Sequence, residues 1–239
     1  MPNYALLSQG STKINKSNTI QDEYFSRILY LAPDNLADGK RTVCPYAKIA
    51  KCNEACLNSA GMGVFSNVQQ ARVKKTLLFL NDRTEFMRLL IKDISKFLKE
   101  CDKLGKKPAL RLNGTSDIQW ETIEVEGYEN IFAMYPQIQF YDYTKIPTRK
   151  VSHIANYHLT WSYSQANDKY ASLFDKVPYN KAVVFIDALP SMFKGLKVID
   201  GDKHDMRFLD KTNSVVGLLA KGKAKQDDTG FVIKALQVA

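Results

Sequence analysis

Hydrophobic positions first gather at Arg27-Ile-Leu-Tyr-Leu-Ala-Pro33, a short apolar run stopped by proline, which is the pattern of a buried strand. Before it, Ser, Thr, Asn and Lys are scattered among few apolar positions, so residues 1–25 read as a loose arm or an edge. After it, Asp34 to Gly63 has no sustained period and contains Gly39, Gly61 and Gly63; a loop this long inside a compact domain usually serves function. From Asn67 the period becomes helical, through Val68, Ala71 and Lys75 into Leu77-Leu78-Phe79-Leu80. Beyond Asn81-Asp82-Arg83 a second helix, capped by Asp82 or Thr84, places Phe86, Leu90, Ile94, Phe97 and Cys101 on one stripe. Further strands are predicted at Pro108 to Asp117, Ile138 to Asp142, Tyr157 to Ser162, Ala182 to Asp187, Leu196 to Asp200, Met206 to Leu209 and Val215 to Ala220. Helical returns are predicted at Ile118 to Met134 and Asp168 to Phe174.

Strands alternating with helices imply crossover connections and a mainly parallel sheet, an α/β fold. Several predicted strands end in polar groups: Asn113 to Asp117, Asp142, Ser162, Asp187 and Asp200. In such sheets ligands bind outside the carboxyl ends of the strands. The segment 34–63 is inserted at the carboxyl end of the first strand, so all of these groups are expected to converge on one face of a single domain spanning 1–239.

Composition narrows the class. The 239 residues, 45% hydrophobic and 25% charged, exclude a disordered chain, a collagen-like chain and a small disulfide scaffold. No apolar run approaches the ~18 residues of a membrane span, and the first residues lack a signal peptide's charged and apolar regions, so a soluble cytoplasmic protein without membrane association is expected. The net charge of +9 is concentrated at residues 61–120, with twelve basic and six acidic residues. That excess is either a solvated helical face or a surface for nucleic acid or another anion. Lys74, Lys75, Lys106, Lys107 and the run Lys221-Gly-Lys-Ala-Lys225 keep the nucleic-acid reading open, although no helix-turn-helix or zinc-finger pattern accompanies them.

Of the four cysteines, Cys44, Cys52 and Cys56 lie within thirteen positions and Cys101 stands apart. In a cytoplasmic chain this clustering points to a metal or a cluster rather than to disulfides. A structural zinc needs four closed ligands, and the histidines His153, His158 and His204 all fall far downstream. Three thiolates are what a [4Fe-4S] cluster with one open iron uses. Cys101 is explained as the last core residue of its helix, about 25 Å from the helix start, and is a poor fourth ligand.

A strand, a three-cysteine loop, a helix and a strand ending in small polar groups resemble the opening of a radical S-adenosylmethionine enzyme, a partial (β/α) barrel. The chain is also similar to the phage and bacterial gene product 88 family, in Leu31-Ala-Pro33, Cys44-Pro, Cys52, Cys56-Leu, Gly61-Met-Gly63, Ala71-Arg72, Lys75-Thr76, Arg111-Leu-Asn-Gly-Thr-Ser-Asp117, Tyr141-Asp-Tyr-Thr-Lys145, Asp205-Met-Arg-Phe208 and Gly217 to Lys223. A phage-encoded member would work in the infected host's cytoplasm. The radical-enzyme resemblance implies a [4Fe-4S] cluster on Cys44, Cys52 and Cys56. It also implies S-adenosylmethionine chelating the fourth iron through its amine and carboxylate, and one-electron cleavage of the sulfonium to a 5′-deoxyadenosyl radical. The spacing here is C-x7-C-x3-C rather than C-x3-C-x2-C, and Asn113-Gly-Thr-Ser-Asp117 stands where that family carries Gly-Gly-Glu. Asn113, Thr115, Ser116, Asp117, Asp142 and Ser162 are the expected cofactor-binding set.

The acid-rich Asp200-Gly-Asp-Lys-His-Asp205 reads as a polar hairpin turn or as an acid/base or hard-metal site. His204 and Asp205 of this segment, with Asp187 at its strand end, are the catalytic candidates. The competing function is a protein that uses zinc or a cluster as a structural clasp and meets nucleic acid or a phage partner without catalysis.

Overall fold

The computed structural model describes residues 5–8, 12–20 and 22–235. Its framework is a ten-stranded sheet of β1 (Leu7–Ser8), β2 (Tyr24–Leu29), β3 (Lys107–Arg111), β4 (Gln139–Thr144), β5 (Tyr157–Ser162), β6 (Lys181–Phe185), β7 (Met192–Phe193), β8 (Leu196–Asp200), β9 (Ser214–Leu219) and β10 (Val232–Ile233). The spatial order is β1-β2-β3-β4-β5-β6-β9-β8-β7, and β10 pairs with β6. Pairing is parallel from β2 to β8 and antiparallel where β1 meets β2 and β7 meets β8, so the sheet is mainly parallel as expected. It is not closed. β5 leaves β6 after Ser162 pairs with Ala182, and β10 takes the freed edge at Val184 and Phe185.

Two helices, α2 (Ser66–Asn81) and α3 (Arg83–Leu104), connect β2 to β3. The α3 start is fixed by the Asp82 carboxylate accepting the Glu85 N–H, and its end by Gly105 in the left-handed conformation at φ 64°. The predicted stripe Phe86, Leu90, Ile94, Phe97 and Cys101 is buried against Leu110, Leu112, Phe140 and Leu159 of the sheet, which confirms Cys101 as a core residue. A second cluster joins Trp161, Tyr163, Tyr170 and Phe174 to Val183, Phe185, Phe193 and Val215.

Some expectations sharpen and others change. Of the arm or edge expected for the first residues, the edge forms: Leu6 and Leu7 are buried, and the Asp93 carboxylate accepts both of their N–H groups at 2.5 and 3.2 Å. Helix α1 (Thr12–Ile20) follows; residues 1–4, 9–11 and 21 of the arm lie outside the described residues. The helical return at Ile118 to Met134 shrinks to a 3-10 turn at Trp120–Thr122 and the single-turn α4 (Ile131–Met134), because Glu126 and Gly127 turn left-handed and Val125 bridges Tyr128. Likewise only Asp168–Ala171 of the next return is helical, as α5. Met206 to Leu209 is not a strand. Its Arg207–Leu209 portion is a 3-10 turn whose Phe208 packs on Tyr24 and Tyr141 at 5.0 and 5.4 Å, covering the sheet face opposite α3. Three apolar residues with one arginine among them do not distinguish these two outcomes. Among the described residues no helix is long and apolar enough to cross a membrane.

Candidate metal centre

The cysteine loop is fastened at both strand ends it crosses. The Asp117 N–H donates to the Val43 carbonyl at 2.8 Å, and the Thr115 hydroxyl donates to Leu31 O at 2.5 Å, tying the turn after β3 to the chain leaving β2. Cys44 begins its turn on the Thr42 hydroxyl, which accepts the Cys44 N–H at 2.9 Å; its sulfur accepts the Asp34 N–H at 3.3 Å and lies 3.7 Å from Thr115 O. At the far side, the Ser164 hydroxyl just beyond β5 donates to Ala50 O at 2.8 Å. Cys52 packs against the small cluster of Ala55, Ala220, Ala224, Phe231 and Val232, and the Cys56 sulfur accepts the Asn58 N–H at 3.5 Å.

These contacts bring the three thiols into one electrostatic neighbourhood. Burial raises the pKa of each above the ordinary thiol value, and Cys44 is raised further by Asp117 and by the other two cysteines. Two cations oppose this. Lys145, one residue past β4, lowers Cys52 and Cys56, and Arg72 of α2 lowers Cys56. The Lys145 ammonium donates to the Ser162 hydroxyl at 2.7 Å and the Ser162 carbonyl at 3.3 Å and lies 4.4 Å over the Phe231 ring. Burial pulls its pKa down, while Cys52, Asp117, Cys56 and Cys44 push it back up. Arg72 is 8% exposed, donates to Asn58 Oδ1 at 2.5 Å and stacks over Tyr30 at 4.8 Å, yet its buried Nε–H has no acceptor. Gly63 permits that approach, since a Cβ there would meet Asn58 O at 2.6 Å and the Arg72 guanidinium at 3.2 Å.

The predicted cofactor-binding residues divide by what they hold. Asn113 secures its own turn: its Oδ1 accepts from the Ser116 hydroxyl, the Ile118 N–H and the Trp120 indole, and its amide donates to Ile118 O and Asp142. Asp142 also accepts the Asn113 N–H at 2.7 Å and the Tyr157 hydroxyl at 3.0 Å, and burial lifts its pKa to about 7 against the pull of Arg111. The Thr115 and Ser116 hydroxyls bond to Leu31 O and Asn113 Oδ1 and so secure the turn, whereas Asp117 and Ser162 reach the thiol neighbourhood. Asp117 accepts the Lys145 N–H at 2.7 Å and Arg149 at 3.2 Å, and Ser162 holds the lysine amine.

The catalytic candidates lie elsewhere. Asp187 is exposed past the end of β6. Asp205 is fully buried and pairs with Arg111 of β3 at 2.8 Å, on the sheet face that Phe208 covers. His204 faces Arg207 at 3.2 Å and Asp210 at 3.9 Å. The structure gathers none of the three with the cysteines.

Among the described residues no group of three or more His, Cys, Asp or Glu side chains could hold a metal ion as they stand. The donor chemistry nevertheless suits a thiolate-bound cluster: three half-buried thiols interact with one another, Lys145 and Arg72 face them, and one guanidinium N–H lacks an acceptor. Sequence reasoning missed Lys145 and Arg72. The first follows a strand with a polar end, which was the available signal; the second was marked only by the family-like Ala71-Arg72 pair, nearly two helical turns into α2.

No curated protein and no solved structure matches the chain. The sequence profile described as gene product 88 matches residues 5–235, a span that includes every strand, the whole cysteine loop, Arg72 and Lys145. The chain belongs to the gene product 88 family.

Proposed function

We propose that this protein holds a [4Fe-4S] cluster on Cys44, Cys52 and Cys56, with the fourth iron open to a ligand such as S-adenosylmethionine, at the mouth of an incomplete (β/α) barrel of radical S-adenosylmethionine type. The carrying observation is the convergence of three half-buried thiols on two cations, the half-buried Lys145 and the buried Arg72. Three thiolates leave a cluster anionic, and a buried anion needs compensating charge and hydrogen-bond donors. Lys145 supplies the charge, fixed by Ser162; Arg72 supplies an N–H without a protein acceptor. The strand order supports the barrel reading, since β2, β3, β4, β5 and β6 lie side by side in chain order before β9 and β8 reverse it.

Bound there, the cluster would supply single electrons to a ligand on its open iron. The protein's own part is to desolvate and to position. Phe231 and the Ala55 cluster pack against Cys52 and cover part of it, and Asp117 anchors the backbone that carries Lys145. On protein prepared without oxygen, Cys44→Ala, Cys52→Ala and Cys56→Ala are each expected to lose bound iron, sulfide and the brown visible absorption, while Cys101→Ala retains them. Bleaching by Cys101→Ala alone, or full iron retention in the three other variants, would contradict the assignment.

A further inference from the structure

The outer face of α3 carries a second feature, independent of the cysteines. Arg88, Lys92, Lys96, Lys99 and Lys103 are all exposed. At 3.6 residues per turn they fall within an arc of about 80° and extend about 22 Å along the helix. Between positions 88 and 103 every α3 residue in that arc is basic. Glu85 opens the stripe and grips Arg88 with two hydrogen bonds of 2.6 and 2.7 Å. Asp93 stands 3.9 Å from Lys96 but is committed to the N–H groups of Leu6 and Leu7. Among the described residues, Lys92, Lys99 and Lys103 meet no carboxylate within ion-pair distance. Like charges three or four residues apart on a helix repel, and this face holds four such neighbouring pairs in succession. A linear polyanion would relieve that repulsion.

We infer that this stripe is a docking surface for the phosphate backbone of duplex nucleic acid. A duplex presents one negative charge per about 1.7 Å of its axis, in a rigid linear array that a straight row of cations can follow. Four of the five groups are lysine ammoniums, compact point charges suited to phosphates and not to bidentate reading of base edges, so the contact is sequence-independent. A lipid surface fits less well. An interfacial helix inserts its apolar face, and the apolar face of α3, from Phe86 through Cys101, is already buried in the core.

The test is fluorescence anisotropy of a labelled mixed-sequence DNA duplex titrated with the full chain, between about 50 and about 200 mM salt. The native protein is expected to bind with an affinity that falls steeply as salt rises. In Lys92→Gln/Lys96→Gln/Lys99→Gln the log–log salt slope should shrink by about 0.9 per removed charge, about 2.7 in all. Lys221→Gln/Lys223→Gln/Lys225→Gln should keep the native slope. All these side chains are exposed, and an unchanged thermal midpoint verifies the fold of each variant. Failure of the native protein to bind duplex at the lowest salt would overturn the inference, as would an unchanged slope in the α3 variant. Binding to phosphatidylserine-containing vesicles but not to duplex would also overturn it, in favour of a membrane surface.

Discussion

Asp142 shows how strongly single side chains in this sheet depend on their surroundings. It sits fully buried between the Asn113 turn and the Tyr157 hydroxyl, and burial lifts its pKa from 3.8 to about 7. The folded state therefore favours the protonated acid. Its contribution to stability is fully present below the ordinary carboxylate range and is lost as pH rises through about 7. His158 acts in the opposite sense, since burial and the nearby Arg207 lower its pKa to about 4, so between that value and 6.5 stability rises with pH. The difference between native protein and Asp142→Asn isolates the carboxyl. In urea unfolding, the native midpoint should fall from pH 5 to pH 8 relative to that of the variant, which keeps an acceptor for Tyr157 but cannot ionise. Parallel pH profiles would show that Asp142 does not titrate in this window.

At the scale of elements, the cysteine loop is the least regular part of the site. Its backbone bonds are mostly local turns, such as Ala47 N–H to Cys44 O and Cys52 N–H to Ala47 O, and a few distant ties hold it at Val43, Ala50 and Ser59. Lys48 and Lys51 are exposed within it. If the loop closes around a cluster, trypsin cleavage at these lysines should slow by more than about tenfold on reconstitution with iron and sulfide, because opening must then release the ligand; equal rates would mean that the loop does not hold it. Other elements were plain in the sequence. β5 and β8 fall on the predicted runs, and the α3 stripe follows its period from Phe86 to Cys101. The convergence of the cysteines with Asp117 and Ser162 followed from the rule that sites lie at strand carboxyl ends. What escaped depends on tertiary context. The choice between arm and edge for Leu6 and Leu7 is made by Asp93 and Lys75 of distant helices, which satisfy their backbone, and Met206 to Leu209 is a turn because two aromatic rings receive Phe208. Spacing cannot reveal that a lysine such as Lys145 turns inward to Ser162 and the thiols.

At the scale of the whole molecule, one open parallel sheet separates two polar regions. The face opposite α3 is filled by the Arg111–Asp205 pair and the Phe208 turn, which hold Asp205 apart from the cysteines. The strand carboxyl ends carry the three thiols under their loop, with Lys145 and Arg72 as counter-charges. Membership of the gene product 88 family covers both regions, and the cluster assignment rests on the second. Its most direct test is the iron, sulfide and zinc content of native protein purified without oxygen, read together with its optical spectrum. The account predicts about four irons and four sulfides per chain with broad visible absorption. One zinc without sulfide would instead make Cys44, Cys52 and Cys56 a structural clasp and contradict the cluster.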